Sequence, residues 1–252
     1  MFKGFQQTGI SRFTYSTSHL FNGFPSNNFA QSPNPWIVND SIIAWWDTQN
    51  GVTLNGSTVS AWADKISGIT MTQSTAVNQP VYIAADGNYR SYPSLNFNGS
   101  TSMTAGNVLN LGTLAGMTIM YVIKPTSVVS LLTKSSALNA NSGGEYSFYG
   151  SGGIFYCTYY DTGLHFCNPP ITTSNCVLTQ MIDRTGGALY GYTNLNSALV
   201  GINTALTNFT PTAAFNLNSG TYAILEIIVY NRTLTAVEMN QNVTNLRAKY
   251  GF

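Results

Sequence analysis

Nine carboxylic acids, two histidines and three cysteines are what this chain of 252 residues offers for acid–base, metal or thiol chemistry. Hydrolysis of a glycosidic bond asks for two carboxyl groups about 5–10 Å apart, one protonated and one ionised. The acids are Asp40, Asp47, Asp64, Asp86, Glu145, Asp161, Asp183, Glu226 and Glu238, and no two are closer than seven residues in sequence. In the segment that reads best as a strand, the positions two residues either side of Glu226 are Ile224 and Ile228, so no second acid shares its face. On this spacing the chain is expected not to be an enzyme. Glu226 is read as structural, bonded to a neighbouring loop or to Arg232. Calcium takes about six to eight oxygens, usually from more than one carboxylate. No D-x-D-x-[DN] loop is present, so any calcium site would have to use Asp47 or Asp64, and no cofactor is expected otherwise. Asp64, two residues after Trp62, fits a turn in which the carboxylate bonds nearby backbone N–H groups. His19 and His165 belong to no metal motif. Cys157, Cys167 and Cys176 have neither zinc spacing nor the even count of a disulfide scaffold, and read as reduced core residues.

The remaining constellation is aromatic. EYSFYGSGGIFYCTYYDTGLHF (145–166) reads as paired strands about a glycine turn. Exposed Tyr rings give flat platforms for sugar C–H groups, with neighbouring acids and backbone groups binding the hydroxyls. The candidate carbohydrate-binding residues are therefore Tyr146, Tyr149, Tyr159, Tyr160 and Asp161. Alternation turns Tyr149, and one of Tyr159 and Tyr160, outward while Phe148 and Phe155 pack inward. The competing role for such rings is cross-strand pairing that stabilises a sheet or fills an interface between subunits.

The elements that must hold these residues are strands. SIIAWWD (41–47), MTIMYVI (117–123), VSLLT (129–133), EYSFYG (145–150), GIFYCTYY (153–160), CVLTQMID (176–183), ALYGYT (188–193) and TYAILEIIVY (221–230) are rich in β-branched and aromatic residues. No long helical runs separate them, which argues against a parallel α/β sheet. Strict alternation over 221–230 puts Tyr222, Ile224, Ile228 and Tyr230 on one face and Ala223, Leu225, Ile227 and Val229 on the other, a strand covered on both sides. One helix is signalled: Thr235 and Glu238 form a capping box, Met239, Val243, Leu246 and Tyr250 form one apolar stripe, and Gly251 stops it.

Only 8% of the residues are charged and the net charge is +1, so there is no electrostatic footprint for nucleic acid. Ser, Thr and Asn contribute 81 residues, a neutral hydrogen-bonding surface with little charge repulsion against association. No apolar run of membrane-spanning length occurs, so membrane insertion is not expected, and the first residues lack the continuous apolar stretch of a standard export signal. Residues 1–40 read as an extended N-terminal arm for assembly or docking, carrying Phe2, Phe5, Phe13, Phe21, Phe24 and Phe29 with Pro25, Pro33 and Pro35. So aromatic a segment is expected to lie against its own domain or a neighbouring subunit. Residues 41–252 form the globular domain.

The closing stretch AILEIIVYNRTLTAVEMNQNVTNLRAKYG resembles the last strand and helix of laminin-G-like domains, in the concanavalin A-like lectin/glucanase superfamily. AWWDTQNGVT (44–53), VSAWADKISG (59–68), the Gln79-Pro80 pair and LNFNGSTSM (95–103) are similar to that family's earlier landmarks. The resemblance implies an all-β, two-sheet antiparallel jelly-roll sandwich with a short C-terminal helix. The glucanases of the superfamily carry Glu-x-Asp-x-x-Glu on one strand, and this chain has no such run. The resemblance extends to bacteriophage structural proteins. With the arm and the neutral surface, it leads to the expectation of a virion structural protein made in the host cytoplasm: a capsid decoration, head-fibre or tail-associated protein. Its expected partners are capsid or tail proteins and copies of itself, with a trimer as the guess. The alternative is a carbohydrate-binding module or adhesin that recognises cell-surface glycans.

Overall fold

The computed structural model describes residues 37–252 except 127–130, 135–145, 152–153, 171, 203, 205–208, 210 and 219. The six phenylalanines of the proposed arm lie outside the described residues. The strands, in chain order, are β1 (Ile42–Asp47), β2 (Val52–Asn55), β3 (Thr58–Ala63), β4 (Thr70–Thr72), β5 (Val81–Asp86), β6 (Tyr92–Asn98), β7 (Met103–Thr104), β8 (Gly116–Pro125), β9 (Leu132–Lys134), β10 (Tyr146–Ser151), β11 (Ile154–Tyr160), β12 (Leu164–Cys167), β13 (Cys176–Asp183), β14 (Ala188–Thr193), β15 (Asn196–Gly201), β16 (Asn216–Leu217) and β17 (Thr221–Tyr230). Helix α1 (Ala236–Tyr250) follows.

Every described pairing is antiparallel, and the ladders form two layers. In one layer β17 is the centre, paired along its length with β8; β13, β14 and β15 continue outward from β8. The other edge of β17 is shared: its first residues pair with β6, which leads to β5, and its last five pair with β1. The second layer runs β12–β11–β10–β9–β16–β7–β4–β3–β2. The layers join at one corner through the Thr58–Val81 pair between β3 and β5. This is the two-sheet jelly-roll sandwich that the resemblance implied, built from the strands that the sequence pattern marked.

Two apolar clusters follow from β17 lying between two coverings. Between the sheets pack Trp46, Trp62, Phe97, Phe148, Phe155, Ile119, Ile224 and Ile227, among others. On the outer face of the first sheet, Trp45, Met120, Leu225, Ile228 and Tyr230 meet Met239, Val243, Leu246 and Tyr250 of α1. The apolar stripe of the helix docks as its spacing predicts. The faces of β17 do not follow strict alternation. A register shift between Ile224 and Glu226 inserts one extra residue, after which Ile227 and Val229 face the sandwich while Ile228 and Tyr230 face the helix.

The ends of β1 and α1 are built by local chemistry. Gly51, after β1, has φ +76°, and a Cβ there would lie 2.2 Å from the Ala63 carbonyl oxygen, so only glycine fits. At the helix start the Thr235 hydroxyl accepts from Glu238 N, and the Glu238 carboxylate accepts from Thr235 N at 2.8 Å. Arg232 clamps the same carboxylate through two bonds of 2.8 and 2.7 Å, so its partner is Glu238 rather than Glu226. The Arg232 guanidinium, with the Thr235 backbone and hydroxyl against the small cost of burial, holds Glu238 down at about 2.

The body starts earlier than residue 41. Ile37 is buried against α1, Val38 N donates to the fully buried Asn242 side chain at 2.8 Å, and the Tyr230 hydroxyl donates to Val38 O. Residues 37–40 therefore belong to the globular unit rather than to an arm, because they satisfy a polar side chain buried beneath the helix.

Thr235→Ala removes the cap and is expected to cost about 1 kcal/mol in urea unfolding at neutral pH. Because the folded Glu238 pKa lies below its ordinary 4.5, its contribution is present above that pH and is lost as pH falls through about 2. The stability gap between the native protein and Glu238→Gln should accordingly be constant above about pH 5 and shrink steadily below it.

Candidate functional site

The hairpin β10–β11 and its neighbour β12 form the outer end of the second sheet. Register decides which rings face which way: Tyr149 lies opposite Tyr156, Thr158 opposite Phe166, and Tyr160 opposite Leu164. These residues share the face turned from the core. Tyr149 and Tyr156 stack with centroids 5.2 Å apart and planes at 17°, and Phe166 meets Tyr156 edge-on at 6.0 Å. Phe166 is 52% exposed and Leu164 40%, while Tyr149, Tyr156 and Tyr160 are half-buried. The result is a set of aromatic rings spread over three strands, in which Phe166 and Leu164 are the side chains most open to solvent.

Of the five residues assigned to carbohydrate from the sequence, Tyr149 and Tyr160 belong to this set and three do not. Tyr146 and Tyr159 point between the sheets and are fully buried; Tyr146 donates to the Leu109 carbonyl at 2.8 Å. They are core residues because the hairpin register puts them on the same face as Phe148, Phe155 and Cys157. Asp161 is buried in the β11–β12 turn. Its carboxylate accepts from Thr162 N, from Gly163 N at 3.1 Å, and contacts His165 Nε2 at 2.9 Å. That carboxylate shapes the turn, and a sugar hydroxyl would have to displace those bonds. Tyr156 and Phe166 are the additions. Pairing Tyr149 with the residue seven positions on, across the turn, would have identified Tyr156; Phe166 needed the register of β12.

A second constellation sits where β1, β17 and the end of α1 meet. Glu226, on the bulge, pairs in register with Asp47. Its side chain is sealed: it accepts from Trp45 Nε1 at 2.6 Å, Lys249 Nζ at 2.9 Å and the Tyr250 hydroxyl at 2.6 Å. Asp47 lies 3.7 Å from the same Lys249 ammonium and 3.1 Å from Lys65, which also stands over the Trp45 ring at 3.7 Å. Burial works to lower the Lys249 pKa, but Glu226 and Asp47 together outweigh it and hold the ammonium above its ordinary value. Burial, then the negative charge of Glu226, pushes the Tyr250 hydroxyl far up, so it remains a donor. Asp47 and Lys249 form one wall of a cavity of about 480 Å³, with Gln49, Tyr92, Leu246 and Ile37 around it.

The sequence offered Asp47 and Asp64 as the residues for calcium. Two ammonium groups occupy the approaches to Asp47, and Asp64 accepts from Ile66 N, Ser67 N and the Ser67 hydroxyl at 2.7, 2.8 and 3.0 Å, as its turn position predicts. A further cavity of about 320 Å³ lies between the start of α1 and the outer face of β14, where Tyr190 and Tyr192 lie side by side with centroids 6.1 Å apart.

No protein-family model and no curated protein matches the sequence. Solved structures do. The binding domain of Paraclostridial Mosquitocidal Protein 1 aligns with a TM-score of 0.58 and 10% identity over 84% of this chain and 53% of that one. The binding domain of Botulinum Neurotoxin DC, in complex with SialylT, aligns at 0.53 and 13% over 82% and 52%. Trypanosoma rangeli sialidase aligns at 0.54 and 11% over 84% of this chain and 33% of its own. The chain thus spans about half of each toxin domain and a third of the sialidase, and the likeness is one of fold: a lectin-like β-sandwich.

These comparisons overturn the expectation that the chain is not an enzyme. The same architecture forms part of a sialidase chain. The spacing argument behind the expectation also fails, because the fold brings Asp47 and Glu226, far apart in sequence, to one ammonium. Sequence separation says nothing about acids on neighbouring strands.

Removing the shared ammonium leaves two buried carboxylates facing each other. Lys249→Met is expected to destabilise the protein by about 3–5 kcal/mol at pH 7 in urea unfolding. Adding Glu226→Gln to it should recover part of that loss, since one of the stranded charges is removed. A loss below about 1 kcal/mol for the single variant would show the cluster to be dispensable.

Proposed function

We propose that this protein recognises cell-surface glycans, and that the aromatic row of Tyr149, Tyr156, Tyr160 and Phe166 is the surface that meets the sugar. The observation carrying this reading is the row itself: four rings on one outward sheet face, with Phe166 the one aromatic among the exposed large apolar side chains of the described residues. Stacking on sugar C–H faces needs no charge, which suits a chain with 8% charged residues. Two of the structural neighbours are binding domains, and one of them is in complex with SialylT.

The setting we propose is a bacteriophage virion, with the segment preceding the body, carrying its six phenylalanines, as the attachment to capsid or tail proteins or to other copies of the chain. The neutral Ser/Thr/Asn surface and the resemblance of the sequence to virion jelly rolls support that setting.

Glycan-array screening with sialylated and neutral sugars, followed by calorimetry on the best ligand, tests the recognition. Tyr156→Ala and Phe166→Ala should each weaken binding about tenfold, while Tyr190→Ala, at the other cavity, should leave it unchanged. Loss of binding in Tyr190→Ala alone would move the site to the helix-side cavity and sink the assignment to the hairpin. For the setting, light scattering on the full chain and on a chain beginning at Asn34 should show an assembly for the first and a monomer for the second. Two monomers would remove the support for an assembly segment.

A further inference from the structure

The three thiols are free and buried, but they are not equivalent. Cys157 on β11 and Cys167 on β12 are direct register partners, whereas Cys176 opens β13 opposite Ile123. Partners in an antiparallel pair have Cα atoms about 4.5–5.5 Å apart, within the span of about 4.4–6.8 Å that a disulfide bridges. Both side chains point to the same face, between the sheets, with 0% and 4% exposure. Across the sandwich, β14 gives them room with a glycine: a Cβ at Gly191 would lie 2.7 Å from Cys157 Sγ.

We propose that Cys157 and Cys167 are a cross-linking site, closing to a disulfide when the folded protein meets a disulfide oxidant such as oxidised glutathione. The thiolate of one cysteine attacks a glutathione sulfur, and the first glutathione leaves as its thiolate. The second cysteine, deprotonated, then attacks the protein sulfur of the mixed disulfide and expels the other glutathione. Two protein thiols and one oxidised glutathione become one protein disulfide and two reduced glutathiones, so hydrogens and electrons balance. Among the described residues β12 pairs only with β11, four residues long, so opening this edge is the local event that admits the oxidant. Burial first, and then the neighbouring Cys167, raises the Cys157 thiol well above its ordinary value, which makes closure slow while the edge stays paired. The bond would fasten β12, and with it Phe166, to β11. It stands or falls independently of any glycan.

The test is incubation of the full, folded chain with oxidised glutathione, followed by denaturation, alkylation of remaining thiols and non-reducing peptide mapping. The expected product carries one alkylated cysteine, Cys176, and a 157–167 linkage, with an intact mass lower by about 2 Da before alkylation. Cys176→Ser should form the same linkage. The cross-linked protein should unfold at higher urea than the reduced one, and dithiothreitol should restore the original midpoint. Alkylation of all three cysteines after prolonged exposure, a linkage to Cys176, or a glutathione adduct on Cys157 that never resolves would each overturn the proposal.

Discussion

The buried carboxylate of Glu226 holds three parts of this molecule in register. It sits on the bulge of β17, and its oxygens take the indole N–H of Trp45 from β1 and both Lys249 and Tyr250 from the last turn of α1. A carboxylate with no exposure is tolerable only when its bonds are made, and these three bonds need the edge strand and the helix to be in place together. The bulge serves the same end. By adding one residue it turns Glu226 toward the helix without exposing the apolar residues that follow, which resume packing on the opposite parity.

Around this joint, the sandwich explains why two adjacent tryptophans can both be fully buried. Trp46 points between the sheets and donates to the Trp62 carbonyl, while Trp45 points under the helix and donates to Glu226. The sheet is covered on both sides, by the second sheet and by α1, so neither indole needs water for its N–H. The outer end of the second sheet, β10 to β12, has no such helix over it among the described residues. Its outward rings are left partly exposed, and that difference in covering is what makes the aromatic row a candidate contact surface.

Chemistry and stability are separated in space. Of the seven acids and bases that the described residues bury, Asp47 and Glu226 belong to one charged cluster, completed by the less buried Lys65 and Lys249, at the junction of strand and helix. The aromatic row lies on the other sheet and uses no charge. A neutral face of this kind recognises shape and C–H surface rather than ionic groups, consistent with a chain that carries 10 basic and 9 acidic residues in 252.

Much of the fold was legible from local signals. The capping box at Thr235, the glycine stop at Gly251 and the stripe from Met239 to Tyr250 depend on residues three or four apart, and each formed as spacing dictates. The long strands β1, β8, β13, β14 and β17 announced themselves through runs of β-branched and aromatic residues, and the landmark segments pointed to the two-sheet arrangement. The short strands β2, β4, β7 and β16 left no such trace, because two to four residues cannot establish a period. Site geometry was the least legible. Whether Tyr146 or Tyr156 faces solvent turns on hairpin register, a one-residue matter that exchanges the two faces of a strand. The meeting of Asp47 with Glu226, like the pairing of Cys157 with Cys167, is a contact between strands, which sequence spacing does not encode. Local pattern by itself determined that this chain is all-β and closes with a helix; only the tertiary structure decided which side chains meet, because register, bulge and sheet order are set by packing of the whole chain rather than by any segment of it.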